Sequence, residues 1–287
     1  MLSIFLILIA GILWGSMGLF VRTLNAAGLH TMDLVVLRAV FTVFLLFVWL
    51  FLFQREKLKI RLKDLWCFLG TGLCSVVFFN YCYFKTITLT SMSVAAVLLY
   101  TAPAFVMIFS RILFGERFTL RKTAAIGVTF LGCVCVTGVF GSSAVLSLRG
   151  LMTGLGAGFG YALYSIFSRY ALERGYDSMT ITFYTFLLAA AGSLFLCDRT
   201  AVFLTVTGST GMLFFAAAFA LVVTIIPYLT YTAGLKHVEN GQAAVIASVE
   251  PVAATIIGMI AFHEPLTVSG IVGMLLVLGG IVICNLK

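Results

Sequence analysis

With 62% hydrophobic and only 10% charged residues among 287, and a mean hydropathy of +1.16, the chain carries more apolar surface than a water-soluble domain can bury. The formal charge of +8 does not read as a nucleic-acid interface, because the basic residues sit in short connections and not along one face with interleaved aromatics. Seven scattered cysteines, odd in number and mostly inside apolar stretches, argue against a disulfide or metal framework and read as reduced packing residues.

Crossing a hydrocarbon core takes roughly 20 apolar residues per helix. In chain order, such stretches fall near 3–21, 32–53, 65–84, 92–114 and 120–140, then near 150–168, 178–197, 210–234, 241–262 and 267–285. The expected fold is an all-α integral membrane protein of ten transmembrane helices with short loops and no soluble domain. Alternating ten-residue strands are absent from the sequence, which argues against a barrel. Residues 1–21 are expected to remain as a span: no basic n-region precedes the apolar run, so a cleaved signal peptide is disfavoured.

The second half repeats the first. At an offset of 148, Tyr83 meets Tyr231, Ala95 and Ala96 meet Ala243 and Ala244, and Val97 meets Val245; Pro103 meets Pro251, Glu116 meets Glu264, Thr119 meets Thr267 and Gly132 meets Gly280. At an offset of 147, Gly11 meets Gly158, Trp14 meets Tyr161, Phe20 meets Phe167 and Arg22 meets Arg169. The units are therefore residues 1–145 and 146–287, five spans each. An odd span count puts the start and end of a unit on opposite sides of the bilayer, so its fused copy must be inverted around a central cavity. Loop charge sets the orientation. With the N-terminus inside, thirteen of the eighteen Lys and Arg lie on the cytoplasmic side and five (Arg22, Arg38, Lys85, Arg149, Arg199) on or near the other, which places both termini in the cytoplasm.

Candidate site residues follow the same order. Trp14 lies mid-depth in the first span. Arg38, near the external end of the second, is expected to snorkel or to meet an anionic group at the outer mouth. Asn80 and Tyr83 share a helix face, with Tyr81 beside them, and Tyr100 sits at comparable depth in the fourth span. Tyr161 pairs with Tyr164, and Tyr228 with Tyr231, at the same three-residue spacing. A polar-tipped ring deep in hydrocarbon needs a partner, either a cavity or a neighbouring helix, and both readings stay open for each ring. Pro103 and Pro251 each remove a backbone donor mid-span and free the carbonyls of Leu99 and Ala247, so the bends should face protein or water and are candidate moving parts. Glu250, in Ala-Ser-Val-Glu-Pro-Val-Ala-Ala, is the single carboxylate near a span centre. Such residues generally face a cavity and serve an ion or substrate path; the alternative is a protonated acid bonded to a neighbouring helix. Gly150, Gly154, Gly158 and Ala162 form a small-residue ridge for close packing. Glu116 and Glu264 each precede by three residues a Thr able to cap the next helix.

The segments Tyr-Thr-Ala-Pro-Ala-Phe to Gly-Glu-Arg-Phe-Thr (100–119) and Val-Glu-Pro-Val-Ala to His-Glu-Pro-Leu-Thr (249–267) resemble the paired signatures of the EamA family in the drug/metabolite transporter superfamily. Trp14-Gly15 and Arg38 also look like its recurrent positions. The resemblance covers essentially the whole chain. It implies two inverted five-helix repeats, a central substrate cavity and alternating access without ATP hydrolysis, and it leaves the substrate open. Glu250 answers Ala102, so one half alone offers the acid.

The expected function is secondary transport of a small organic metabolite across the plasma membrane. Aromatic rings around one acid favour an amine, quaternary ammonium or amino acid, with proton coupling through Glu250 as a further expectation. A passive channel or facilitator is the alternative. An intramembrane enzyme lacks H-E-x-x-H, G-x-S-x-G or a second mid-membrane acid. No cofactor, metal or nucleic-acid partner is expected; the partners are the substrate, protons and membrane lipid, with oligomeric state open.

Overall fold

The computed structural model describes residues 1–139 and 147–286. The expected unit boundary at 145/146 and the last residue of the 120–140 stretch lie outside them. Every regular element among the described residues is helical. In chain order these are α1 (Leu2–Ala26), α2 (Thr31–Phe53), α3 (Leu62–Leu89) and α4 (Met92–Phe114), then α5 (Leu120–Val136), α6 (Leu148–Glu173), α7 (Ser178–Ser193) and α8 (Arg199–Thr207), and finally α9 (Thr210–Leu235), α10 (Asn240–Phe262) and α11 (Val268–Asn285).

Seven of these, α1 to α4 and α9 to α11, are long and apolar enough to cross a membrane. Ten were expected. The other three differ for visible reasons: α5 has 17 residues, α6 is diluted by glycine, serine and arginine, and α7 is apolar but has 16 residues. The short α8 was not foreseen. It begins where Asp198 accepts the N–H groups of Thr200 and Ala201.

Helix starts follow side-chain caps written in the sequence. Ser91, Thr119, Ser147, Asp177, Ser209 and Thr267 each accept the N–H three residues on, satisfying donors that a helix start leaves open. Thr119 and Thr267 are therefore caps, as their spacing from Glu116 and Glu264 implies. Helices α4 and α10 both break at proline. The first divides into Met92–Leu99 and Ala102–Phe114, the second into Asn240–Ala247 and Glu250–Phe262. Helices α3 and α9 both widen to π-helical turns, over Gly70–Val77 and Leu221–Ile225, just before the Asn80–Tyr83 and Tyr228–Tyr231 pairs.

The packing is reciprocal. Helix α1 packs on α9 and α10, while its repeat counterpart α6 packs on α3 and α4; α2 meets α7, α4 meets α10, and α5 lies along α11. Small residues permit the closest approaches. A Cβ on Gly132 would stand 2.7 Å from the Val277 nitrogen, and one on Gly280 would stand 2.2 Å from Thr129 Oγ1. Large apolar side chains such as Phe44, Phe195 and Leu275 remain on the outside, as in a protein solvated by lipid.

Candidate functional site

The two helix breaks meet. A cavity of about 20 Å³ is lined by Leu99, Tyr100, Ala102 and Pro103 from the α4 break, by Ala244, Ala247, Ser248 and Glu250 from the α10 break, and by Tyr161 of α6. That volume holds little more than one water. A metabolite enters only if the surrounding helices separate.

Local sequence explains how the breaks are placed. Pro103 and Pro251 occupy the first turns of their second half-helices, where a missing N–H and a fixed φ are tolerated. The linking residues close as tight turns: Thr101 N–H donates to Leu98 O at 3.2 Å, and Ser248 and Val249 donate to Val245 O and Ile246 O at 3.2 Å each. Glycines seat both breaks. A Cβ on Gly11 would lie 2.8 Å from Ala247 O, and one on Gly158 would lie 2.4 Å from Thr101 Oγ1 and 3.0 Å from Leu98 O. These two glycines are repeat equivalents, so each half carries the seat for the other half's bend.

Glu250 opens the second half of α10 and, among the described residues, forms no ion pair. The rings of Tyr100 and Tyr161 line the same cavity. Tyr161 meets Trp14 edge-on with centroids 6.3 Å apart, and Trp14 in turn contacts Tyr228 and Tyr231 at 5.4 Å each. Tyr228 also packs edge-on against Tyr164 at 4.9 Å and Phe186 at 4.8 Å. These are favourable aromatic geometries, and together they form a wall beside the cavity.

Not every polar tip in that wall faces the cavity. Tyr164 OH and Thr232 Oγ1 lie 2.8 Å apart, and Tyr231 OH and Ser165 Oγ lie 2.7 Å apart, so these hydroxyls are used between helices. Tyr83 reaches the site through Phe79, which contacts it at 5.9 Å and Tyr161 at 5.5 Å. Tyr81 is corrected: it is 52% exposed, because a 100° step from the buried Asn80 turns it to the outer face of α3. Arg38 does not snorkel: it is buried at 3% exposure, its Nη2 donating to Asn80 Oδ1 at 3.3 Å. The small lining residues Ala102, Ala244, Ala247 and Ser248 escaped the sequence reading because nothing distinguishes them from packing residues until the bends are seen. Their position beside the prolines was the available signal.

The two ends of the α4–α10 pair differ. At one, Glu116 accepts the backbone N–H groups of Asn240 at 2.8 Å and Gly241 at 3.3 Å. Arg169 there donates to Asn240 Oδ1 at 3.0 Å and to Val238 O. At the other end the repeat equivalents Arg22 and Glu264 pair with each other, about half exposed. Among the described residues no cluster of His, Cys, Asp and Glu could hold a metal.

Fold and site together define a multi-pass helical membrane protein whose pocket forms where two proline-bent helices meet. The chain belongs to the EamA-like transporter family, whose profile matches residues 1–138 and 148–286. An uncharacterized transporter of Archaeoglobus fulgidus is 28% identical over 201 residues, 70% of each chain. The uncharacterized transporter YxxF of Bacillus subtilis is 24% identical over 253 residues, 87% of this chain and 78% of its own. A solved crystal structure shares the fold with a TM-score of 0.80 at 17% identity, covering 99% of this chain and 96% of the other.

Proposed function

We propose that this chain is a secondary transporter of a small organic metabolite that works by alternating access, with ten transmembrane helices in two inverted repeats, 1–145 and 146–287. The reading rests above all on Glu250, an unpaired carboxyl group at a helix break facing a cavity built jointly by both breaks. The family match in two segments and the reciprocal packing of α1 and α6 support the repeat. The loop charge bias supports a plasma-membrane protein with both termini cytoplasmic. Nothing in this reading requires an enzyme, a cofactor or a metal.

Aromatic faces around one acid suit an amine, a quaternary ammonium or an amino acid, since a desolvated cation over such rings gains about 2 kcal/mol or more. Coupling follows if Glu250 carries a proton when substrate is absent and releases it on binding a cation. The narrowness of the cavity speaks against a permanently open channel. Reconstituted protein should show saturable uptake and counterflow of an accumulated substrate, whereas a channel shows neither. In Glu250→Gln, exchange of substrate should persist while proton-driven accumulation is lost. Unchanged pH dependence of transport in that variant removes Glu250 from the coupling role.

A further inference from the structure

Glu116 and Glu264 leave their helices in the same way. Each follows a residue in the left-handed region, Gly115 at φ 68 and His263 at φ 53. Each backbone N–H then turns back onto the helix just ended, to Ser110 O at 3.2 Å and to Gly258 O at 3.4 Å, and these two residues are themselves repeat equivalents at the offset of 148. The carboxylates nevertheless end in different places. That of Glu116 crosses to the start of α10, which has no side-chain cap of its own, and accepts the Asn240 and Gly241 N–H groups with one oxygen each. A carboxylate at a helix start satisfies open donors and complements the helix dipole. That of Glu264 folds back over Gly258, where an added Cβ would stand 2.5 Å from its Oε2, and meets Arg22 with the other oxygen.

Helices α4 and α10 are 23 residues long each and their breaks meet around one cavity, so the start of α4 lies at the same end of the pair as Glu264. The repeat equivalents of Asn240 and Gly241 are Met92 and Ser93. Ser91 caps α4 but takes only the Val94 N–H, which leaves the Met92 and Ser93 N–H groups as donors that no preceding turn can satisfy. An acceptor and two donors therefore stand unjoined at this end, as copies of groups that are joined at the other. One difference limits the second contact. Arg169 donates to the side-chain amide of Asn240, and Met92 offers Arg22 no amide.

We propose that Glu264 is the second of two latches and exchanges between two positions: over Gly258 beside Arg22, as in this structure, and on the Met92 and Ser93 N–H groups once Glu116 has let go of α10. This rests on the transport reading and specifies which groups close the cavity at each end in turn. The missing amide at Met92 makes the Glu264 latch the weaker, and the arrangement held by Glu116 the preferred one.

The test measures distances between paired spin labels in the full chain, in lipid and without its seven native cysteines. Labels at the exposed Arg117 and Lys236 report the Glu116 end, and labels at their exposed equivalents Pro265 and Thr88 report the other. Glu116→Gln should lengthen the first distance and shorten the second. Met92→Asn supplies the missing amide, and the methyl group of Gly258→Ala displaces the Glu264 carboxylate. Each should raise the short-distance population at the Glu264 end about fivefold, near the worth of one hydrogen bond, and adding Glu264→Ala should abolish that gain. The inference is overturned if neither variant raises the population, or if the gain survives Glu264→Ala. Met92 and Glu264 are both exposed, so this pair of substitutions decides the matter even where Gly258→Ala fails to fold. Counterflow of a panel of amines and amino acids, measured on the same samples, separates the two readings. Exchange of distances without counterflow overturns the transport reading and leaves the latch standing; counterflow with distances indifferent to Glu264 does the reverse.

Discussion

Gly11 and Gly158 show how much a missing methyl group decides. Each presses a bare backbone against the turn of a bent helix, where even a Cβ would stand at 2.4–2.8 Å from its neighbours. Gly11→Val and Gly158→Val should each destabilise the chain by about 1–3 kcal/mol through overpacking, read as a lower melting temperature, and should slow transport more than binding. Valine at Gly127, where an added Cβ meets nothing, should leave packing untouched and serve as control. Individual residues were readable in the sequence when their chemistry was costly to bury: Glu250 and the two prolines stand where their cost implied. The burial of Arg38 was not legible, because a long basic side chain near a span end reads equally as an interfacial one. Tyr81 was misplaced because Asn80 and Tyr83, three apart, share one helix face, and the tyrosine between them points away from it.

Helix ends were easier to read than helix interiors, since caps are local chemistry. Asp177 illustrates the electrostatics of one such end. Burial alone would raise its carboxyl, but the Lys57 ammonium and the Thr180 N–H more than offset this and hold it below the usual carboxylate range. Its contribution is therefore complete above the unfolded value near 3.9 and is lost as pH falls through the lower folded value. Melting measured from about pH 6 down to about pH 3 should show this loss, with a shallower decline in Asp177→Asn. Asp177→Ala should cost about 1 kcal/mol at neutral pH. The opposite sign is expected at the end of α10. His263 adopts φ 53 where its repeat equivalent Gly115 has φ 68, a left-handed conformation that costs a side-chain-bearing residue about 1–2 kcal/mol. His263→Gly should raise stability by about 0.5–1 kcal/mol, in part because the gain is set against glycine's greater freedom when unfolded. The extent of α5 to α8 was less readable. Short, glycine-rich or charge-flanked stretches give a weak hydropathy signal, and tertiary packing decides where they stop.

Across the molecule, the contrast between the two ends of the α4–α10 pair gives the proposed alternating access a concrete form. The end held by Glu116, Arg169 and Asn240 is tied through buried backbone donors, whereas the Arg22–Glu264 end is half exposed. Glu116→Gln should loosen the first end. In a background lacking the seven native cysteines, a cysteine replacing Ser248 should then become reactive to a thiol reagent supplied from that side, and Glu264→Gln should not produce this effect. Equal reactivity in both variants would contradict a gate at Glu116. The glycine seats carry a consequence for biosynthesis. Because the notch that receives the α4 bend is cut in α6, the N-terminal half leaves the ribosome with its kinked helix unsupported, and stays provisional until residue 158 has entered the bilayer. The reverse notch, at residue 11, already waits for α10. A nascent chain stalled before α6 should therefore be the species most open to quality-control proteolysis.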